Sequence, residues 1–226
     1  MKRKPSIAEL LAHHKRFISA IPGSARLLED IRAANSLIFC CTNNIEPWFR
    51  RQSDEIGLPR FVSPARTITS FGCGVSKSSP RFEMFNAVLD AVPGLSAPRC
   101  VFVDDRHSNL ERAQEFGMKT VHCDCEKGGL DAVRTGLGAL GVFDSTGDRL
   151  RAVVFDVGGV LAQDVWEHAY LDPAAGLVAQ YPHLDHGDLS RVGKKLWEEF
   201  AYSRDLDGQM EENYYARFLS EFSWDA

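Results

Sequence analysis

The sequence predicts an α/β fold: a doubly wound parallel sheet with a helical cap over its strand ends. Three observations carry this expectation. Short apolar, β-branched runs alternate with amphipathic segments of helix length, the pattern of a parallel sheet covered on both faces. Two of the runs, Val153-Val154-Phe155-Asp156-Val157-Gly158-Gly159 and Cys100-Val101-Phe102-Val103-Asp104-Asp105, end in carboxylates. Ligands of open α/β sheets bind just outside such strand ends. From about Asp164 to Phe222 only helix signals remain.

Taken in order, Ser6 and Glu9 form a capping-box pattern that opens a helix with Ile7, Leu10, Leu11, His14, Phe17 and Ile18 on one face. Pro22-Gly23 breaks it, and a second helix covers residues 24–34. Residues 36–41 read as a buried strand ending at Thr42-Asn43-Asn44. A helix over 45–58 is followed by short extended pieces at Phe61-Val62 and Thr67-Ile68-Thr69. Residues 81–92 form a helix with Phe82, Phe85, Val88, Leu89 and Val92 facing inward. A strand at 99–103, a helix from Ser108 stopped by Gly117, a strand at 119–122 and a helix over 129–140 follow. Residues 141–149 are a linker by composition, centred on Asp144-Ser145-Thr146-Gly147-Asp148, and lead into the strand at 151–155. In the helical remainder, Leu189, Val192, Leu196 and Phe200 share one face, as do Tyr215, Phe218, Leu219 and Phe222.

A chain of 226 residues suits one medium domain, or a core with a smaller cap. The net charge of -5 argues against nucleic-acid and membrane-surface partners. Lys2-Arg3-Lys4 is short and terminal and reads as solvated. No apolar run approaches the roughly 18 residues of a membrane helix, and no signal peptide opens the chain. Six cysteines lack framework spacing; Cys40, Cys41 and Cys100 sit inside apolar strand runs. His122-Cys123-Asp124-Cys125 resembles half of a metal site without a second ligand pair. Reduced thiols in a cytoplasmic protein are the simpler expectation. His13-His14, His183 and His186 read as structural or solvated.

Four segments resemble the motifs of the haloacid dehalogenase (HAD) superfamily. Motif one resembles Phe155-Asp156-Val157-Gly158-Gly159-Val160-Leu161, and motif two Cys41-Thr42-Asn43-Asn44. Motif three resembles Val75-Ser76-Lys77-Ser78-Ser79-Pro80-Arg81-Phe82. Motif four resembles Val101-Phe102-Val103-Asp104-Asp105, continued by Arg106-His107-Ser108-Asn109. Within the superfamily the chain is most similar to the N-terminal phosphatase domain of soluble epoxide hydrolases, over nearly its whole length. Each motif alone is weak; four in suitable strand context are specific.

The resemblance implies a Mg2+-dependent phosphatase acting on a small organic phosphate or diphosphate. Asp156 is the expected nucleophile, forming an aspartyl-phosphate. Mg2+ suits hard oxygen ligands. It is assigned to Asp156, Asp105 and the backbone carbonyl of Gly158, with Asp104 supporting through a bound water. Thr42 and Asn43 are assigned to phosphate oxygens, Lys77 to the phosphate and the nucleophile, and Asn109 to ordering the motif-four loop.

Three departures bear on this. The family's phosphatases carry a second Asp two positions after the nucleophile, as general acid and base. Gly158 stands there, and a positioned acid contributes roughly a hundred- to ten-thousand-fold in rate. Ser78 stands where the family commonly has Pro. The motifs also run two, three, four, one, whereas motif one comes first in the family. Joining Ala226 to Met1 restores that order, so the chain reads as a circular permutant. Its HAD-like core spans residues 21–161 and its cap is split between 162–226 and 1–20. The rival reading has residues 151–226 completing a neighbouring chain, making a domain-swapped homodimer rather than a monomer. Two other functions stay open: a metal-independent hydrolytic dehalogenase, and a phosphate-ester-binding protein without turnover. Selectivity is expected in the cap, through Trp166, Trp197, Tyr202, Tyr214 and Tyr215, unless these pack between helices.

Overall fold

The computed structural model describes residues 3–124, 128–144 and 150–224. Lys2, Cys125, the linker residues 145–149 and the end residue Ala226 fall outside this range. The element order is α1 (Ile7–Lys15), α2 (Ser24–Ala33), β1 (Leu37–Thr42), α3 (Glu46–Ile56), β2 (Thr67–Thr69), α4 (Ser70–Cys73), α5 (Glu83–Asp90) and β3 (Cys100–Asp104). Then come α6 (His107–Glu115), β4 (Lys119–His122), α7 (Gly129–Ala139), β5 (Ala152–Phe155), a π-helical turn (Glu167–Leu171), α8 (Leu177–Gln180), α9 (His186–Phe200) and α10 (Met210–Ser220).

The five strands form one sheet in the order β2-β1-β5-β3-β4, and every pairing is parallel. Continuous apolar runs such as 100–103 and 152–155 satisfy such a sheet because both faces are covered. Ile38, Cys40, Val101, Val103, Val153 and Phe155 pack with Leu28 and Ile31 of α2, Ile56 of α3 and Val133 of α7. The alternate residues Phe39, Cys41, Phe102 and Val154 pack with Phe85 and Val88 of α5 and Ala113 of α6. The sheet is therefore wound on both sides, a Rossmann-like arrangement. Counted from β5 instead of β1, the spatial order becomes third-second-first-fourth-fifth, the doubly wound order whose ligand crevice lies where the winding reverses.

Register decides what meets at that crevice. Phe155 stands opposite Cys40 on one side and Val103 on the other. Thr42 and Asp104, the last residues of β1 and β3, and Asp156, just past β5, stand along the C-terminal edge of the sheet.

Above that edge lies a separate helical core. Leu10 of α1, Tyr170 and Leu171 of the π-helical turn, Leu189, Val192 and Leu196 of α9, and Tyr214, Tyr215 and Phe218 of α10 form it, with Trp48 of α3. Helix α1 packs on α10. The two ends of the described chain meet at Tyr181, whose hydroxyl donates to Arg3 O at 3.3 Å and whose ring stands edge-on to Trp224 at 5.3 Å. Ser70 Oγ ties the helical core to the sheet by donating to Ala201 O at 2.6 Å.

Ser6 caps α1 through the expected box with Glu9. Several boundaries differ from expectation. Phe61-Val62 is not extended: Phe61 N–H closes a 3-10 turn on Leu58 O at 2.9 Å, Val62 N–H bonds the same carbonyl at 3.0 Å, and both side chains face the sheet core. The helix expected over 81–92 starts at Glu83, because Phe82 takes a left-handed backbone (φ 58°). The helix over 45–58 stops at Ile56, capped by left-handed Gly57. Helix α4 was not anticipated, its Thr69 cap lying inside the extended run.

Candidate active site

Asp156 follows β5 at the crevice and is 7 % exposed. Its Oδ1 accepts from Thr42 Oγ1 at 2.5 Å and from Val157 N–H at 2.7 Å. Its Oδ2 faces Lys77 Nζ at 2.6 Å. Lys77 also donates to Asp104 Oδ2 at 2.6 Å, so one buried ammonium bridges the ends of β3 and β5. Its backbone N–H is held by Asn43 Oδ1 at 3.0 Å, which fixes the loop after α4 to the end of β1.

The two adjacent acids of β3 have different surroundings. Asp104 is fully buried and satisfied: Asn109 donates to both its oxygens at 2.9 and 3.1 Å, and Arg106 N–H to Oδ1 at 2.9 Å. Asp105 lies against Gly159, and its Oδ1 is buried without a partner among the described residues. Carboxylate oxygens of Asp104, Asp105 and Asp156 lie within 4.8 Å of one another, and Lys77 pairs with Asp104 and Asp156 but not with Asp105.

That crowding shows in the protonation equilibria. Burial, then the charges of Asp156 and Asp104, push the Asp105 carboxyl up to about 7. Burial also raises Asp156, opposed by Lys77. In Asp104 burial is outweighed by Lys77 and its hydrogen-bond donors, so its carboxyl stays below the usual range. Burial would strip the Lys77 proton, but Asp104 and Asp156 hold it above the ordinary lysine value.

The orphaned buried oxygen on Asp105 and the carboxylate of Asp156 make a donor set able to hold a cation. All-oxygen ligands of this kind fit Mg2+. Asp104 is already saturated by Lys77, Asn109 and the Arg106 N–H, which leaves Asp105 and Asp156 as the acids with capacity for a metal.

A cavity of about 310 Å3 opens between the sheet edge and the helical core, a size that suits a small molecule. Asn43, Lys77, Asp156 and Gly158 line it from below, and Trp166, Ser190, Lys194 and Trp197 from above. A Cβ built on Gly158 meets nothing within 4 Å. Of the five cap aromatics expected to select substrate, Trp166 and Trp197 line the cavity, whereas Tyr214 and Tyr215 are fully buried in the helical core and Tyr202 lies off the cavity wall.

The eight residues assigned from the sequence gather here: Thr42, Asn43, Lys77, Asp104, Asp105, Asn109, Asp156 and Gly158. Sequence reasoning missed Arg106 and Lys194 on the cavity wall, and Gly193, whose missing side chain admits the Trp166 ring: a Cβ there would stand 2.0 Å from Trp166 Cζ2. A glycine inside a long amphipathic helix was the available signal. His14 is buried among Trp48, Tyr170 and Tyr215 and His13 bonds Ala169 O at 2.6 Å, both in the helical core, whereas His122 stacks on His107 and bonds the backbone carbonyl of Asp105 at 2.9 Å. Cys123 is buried in the sheet core. Comparison of the chain with protein families, curated proteins and solved structures finds no match.

Proposed function

We propose that this chain is a Mg2+-dependent phosphatase of the HAD type, in circularly permuted order, that hydrolyses a small organic phosphate or diphosphate through Asp156. The observation that carries the reading is the pairing of a restrained carboxylate, Asp156, with the partnerless oxygen of Asp105 at the switch point of the sheet. The permuted order is supported by the doubly wound strand sequence counted from β5 and by the meeting of the chain ends at Tyr181.

Asp156 and Asp105 would hold Mg2+, with the Gly158 carbonyl beside them. Bound there, the ion neutralises charge on the phosphoryl oxygens. Thr42 and the Val157 N–H orient Asp156, and Lys77 offsets charge between nucleophile and phosphoryl group. The Asp156 carboxylate attacks phosphorus, forming an acyl-phosphate bond as the ester P–O bond breaks. With Gly158 next in line, the departing oxygen takes its proton from water, which favours esters with good leaving groups. Water then attacks phosphorus, phosphate departs, and Asp156 is regenerated. Asn43 and Lys77 present N–H donors to the phosphoryl oxygens.

No described helix is long and apolar enough to cross a membrane. We propose a cytoplasmic location, on the thiols of Cys40, Cys41, Cys73 and Cys100. The test is phosphate release from a panel of phosphate and diphosphate esters, with Mg2+ and with EDTA, by native protein and Asp156→Asn. Metal-dependent release lost in the variant is expected; full activity of the variant would sink the reading. The open space at Gly158 favours one second reading, ester binding without turnover. Tight binding with no product would establish that instead. Chloride release without Mg2+ would favour the dehalogenase, against which the adjacent acids Asp104 and Asp105 argue.

A further inference from the structure

We propose that Arg106 and Lys194 form a second anion seat in the cavity, and that the ligand is a phosphate ester whose organic part carries another acidic group. This rests on the reading of Asp156 and Lys77 as the phosphoryl seat.

Three cationic side chains line the cavity: Lys77, Arg106 and Lys194. Lys77 is taken by Asp104 and Asp156. Among the described residues, neither Arg106 nor Lys194 forms a direct ion pair, although the charges of Asp105, Asp164, Asp156 and Asp104 act on Arg106. Lys195, the next residue of α9, does: it pairs with Glu221 at 2.7 Å. The acids nearest the cavity rim are Asp164 and Glu167. Asp164 Oδ1 already accepts from Trp166 N–H at 2.9 Å and Glu167 N–H at 3.5 Å.

The two cations come from opposite walls. Arg106 follows the acid pair of β3, and its own N–H is fixed to Asp104, so its side chain leaves the backbone at the rim of the carboxylate cluster. Lys194 belongs to the roof. Helix α9 turns Leu189, Val192 and Leu196 into the helical core, while Ser190, Gly193, Lys194 and Trp197 recur along the cavity at helical spacing.

A guanidinium suits a carboxylate or phosphate by bidentate bonding, and an ammonium adds a point charge. Both side chains reach solvent at the cavity rim, and a neutral organic group in the cavity would give neither of them a direct charged partner. A second anion compensates them.

The test is calorimetric binding in Mg2+ of two matched non-hydrolysable series: phosphonoacetate, 3-phosphonopropionate and 4-phosphonobutyrate against methyl-, ethyl- and propylphosphonate. At least one acid is expected to bind ten-fold or more tighter than its alkyl partner. That advantage should fall several-fold in Arg106→Gln and in Lys194→Gln, and vanish in the double variant. Alkylphosphonates that bind while no acid binds better would overturn the second seat and leave the phosphoryl seat standing. So would an advantage that survives the double variant. Binding of neither series would overturn both.

Discussion

A side-chain carbon on Gly159 would stand 2.7 Å from Oδ2 of Asp105. The glycine also holds a left-handed backbone, φ 74°, which costs other residues roughly 1–2 kcal/mol. Two needs meet at one position: a turn after Asp156, and room for the acid that lacks a partner. Gly159→Ala should lower the thermal midpoint and abolish any rise in that midpoint on adding Mg2+, because Asp105 must move. Melting curves with and without Mg2+ check this. An undiminished Mg2+ shift in the variant would show that Asp105 is not a ligand.

Gly158 presents the opposite case. Its Cβ position is open and faces the cavity, two residues after Asp156. Gly158→Asp places a carboxyl where a leaving group would need its proton. Turnover of esters with poor leaving groups should rise by about a hundred- to ten-thousand-fold. Steady-state rates of both proteins on alkyl phosphates decide the matter, and an unchanged kcat in a folded variant refutes it.

His14 governs a different property. Its ring lies against Trp48, Tyr170 and Tyr215, with the Arg51–Glu211 ion pair nearby. Burial, then the positive charges of Arg51, His13 and Lys15, pull its pKa from 6.5 down to about 3. In the unfolded chain the imidazole ionises near 6.5, so between those values the unfolded state binds more protons. The stability this neutral histidine contributes is complete above about pH 6.5 and is lost as pH falls toward 3. Denaturant titrations from pH 7 to pH 4.5 should show a flatter decline in His14→Gln than in the native chain. Parallel slopes would rule out the assignment.

The meeting of Arg3 and Trp224 at Tyr181 gives a fourth expectation. A chain opened within residues 145–149, with its present ends joined by a short linker, should keep the fold and the Mg2+ response. Circular dichroism and melting of such a rearranged chain test it; failure to fold would count against the permuted order.

Much of this was legible in the sequence, for local reasons. An apolar β-branched run that stops at an acid announces a buried strand and its carboxylate together, as at Asp104 and Asp156. The depth of Lys77 was less so. Between Ser76 and Ser78 nothing local marks a lysine whose side chain is wholly buried. Its burial comes from two acids on two other strands. Arg106 gives no periodic signal, since it sits in a loop whose direction is set by its own N–H on Asp104. Lys194 was recoverable: the stripe 190, 193, 194, 197 runs beside the core stripe of the same helix. The π-helical turn was not: it follows Trp166, whose ring packs over Gly193, a contact distant in sequence.

The place of β5 carries a consequence for how the protein is made. It is the middle strand of the sheet, and the last of the five to be synthesised. Until it leaves the ribosome, β1 and β3 each present an open inner edge, and the two halves of the sheet have nothing to join them. Open strand edges on a nascent chain invite pairing with other chains. The exposure lasts from the synthesis of β1 to that of β5, and the strand that ends it is the one that delivers Asp156.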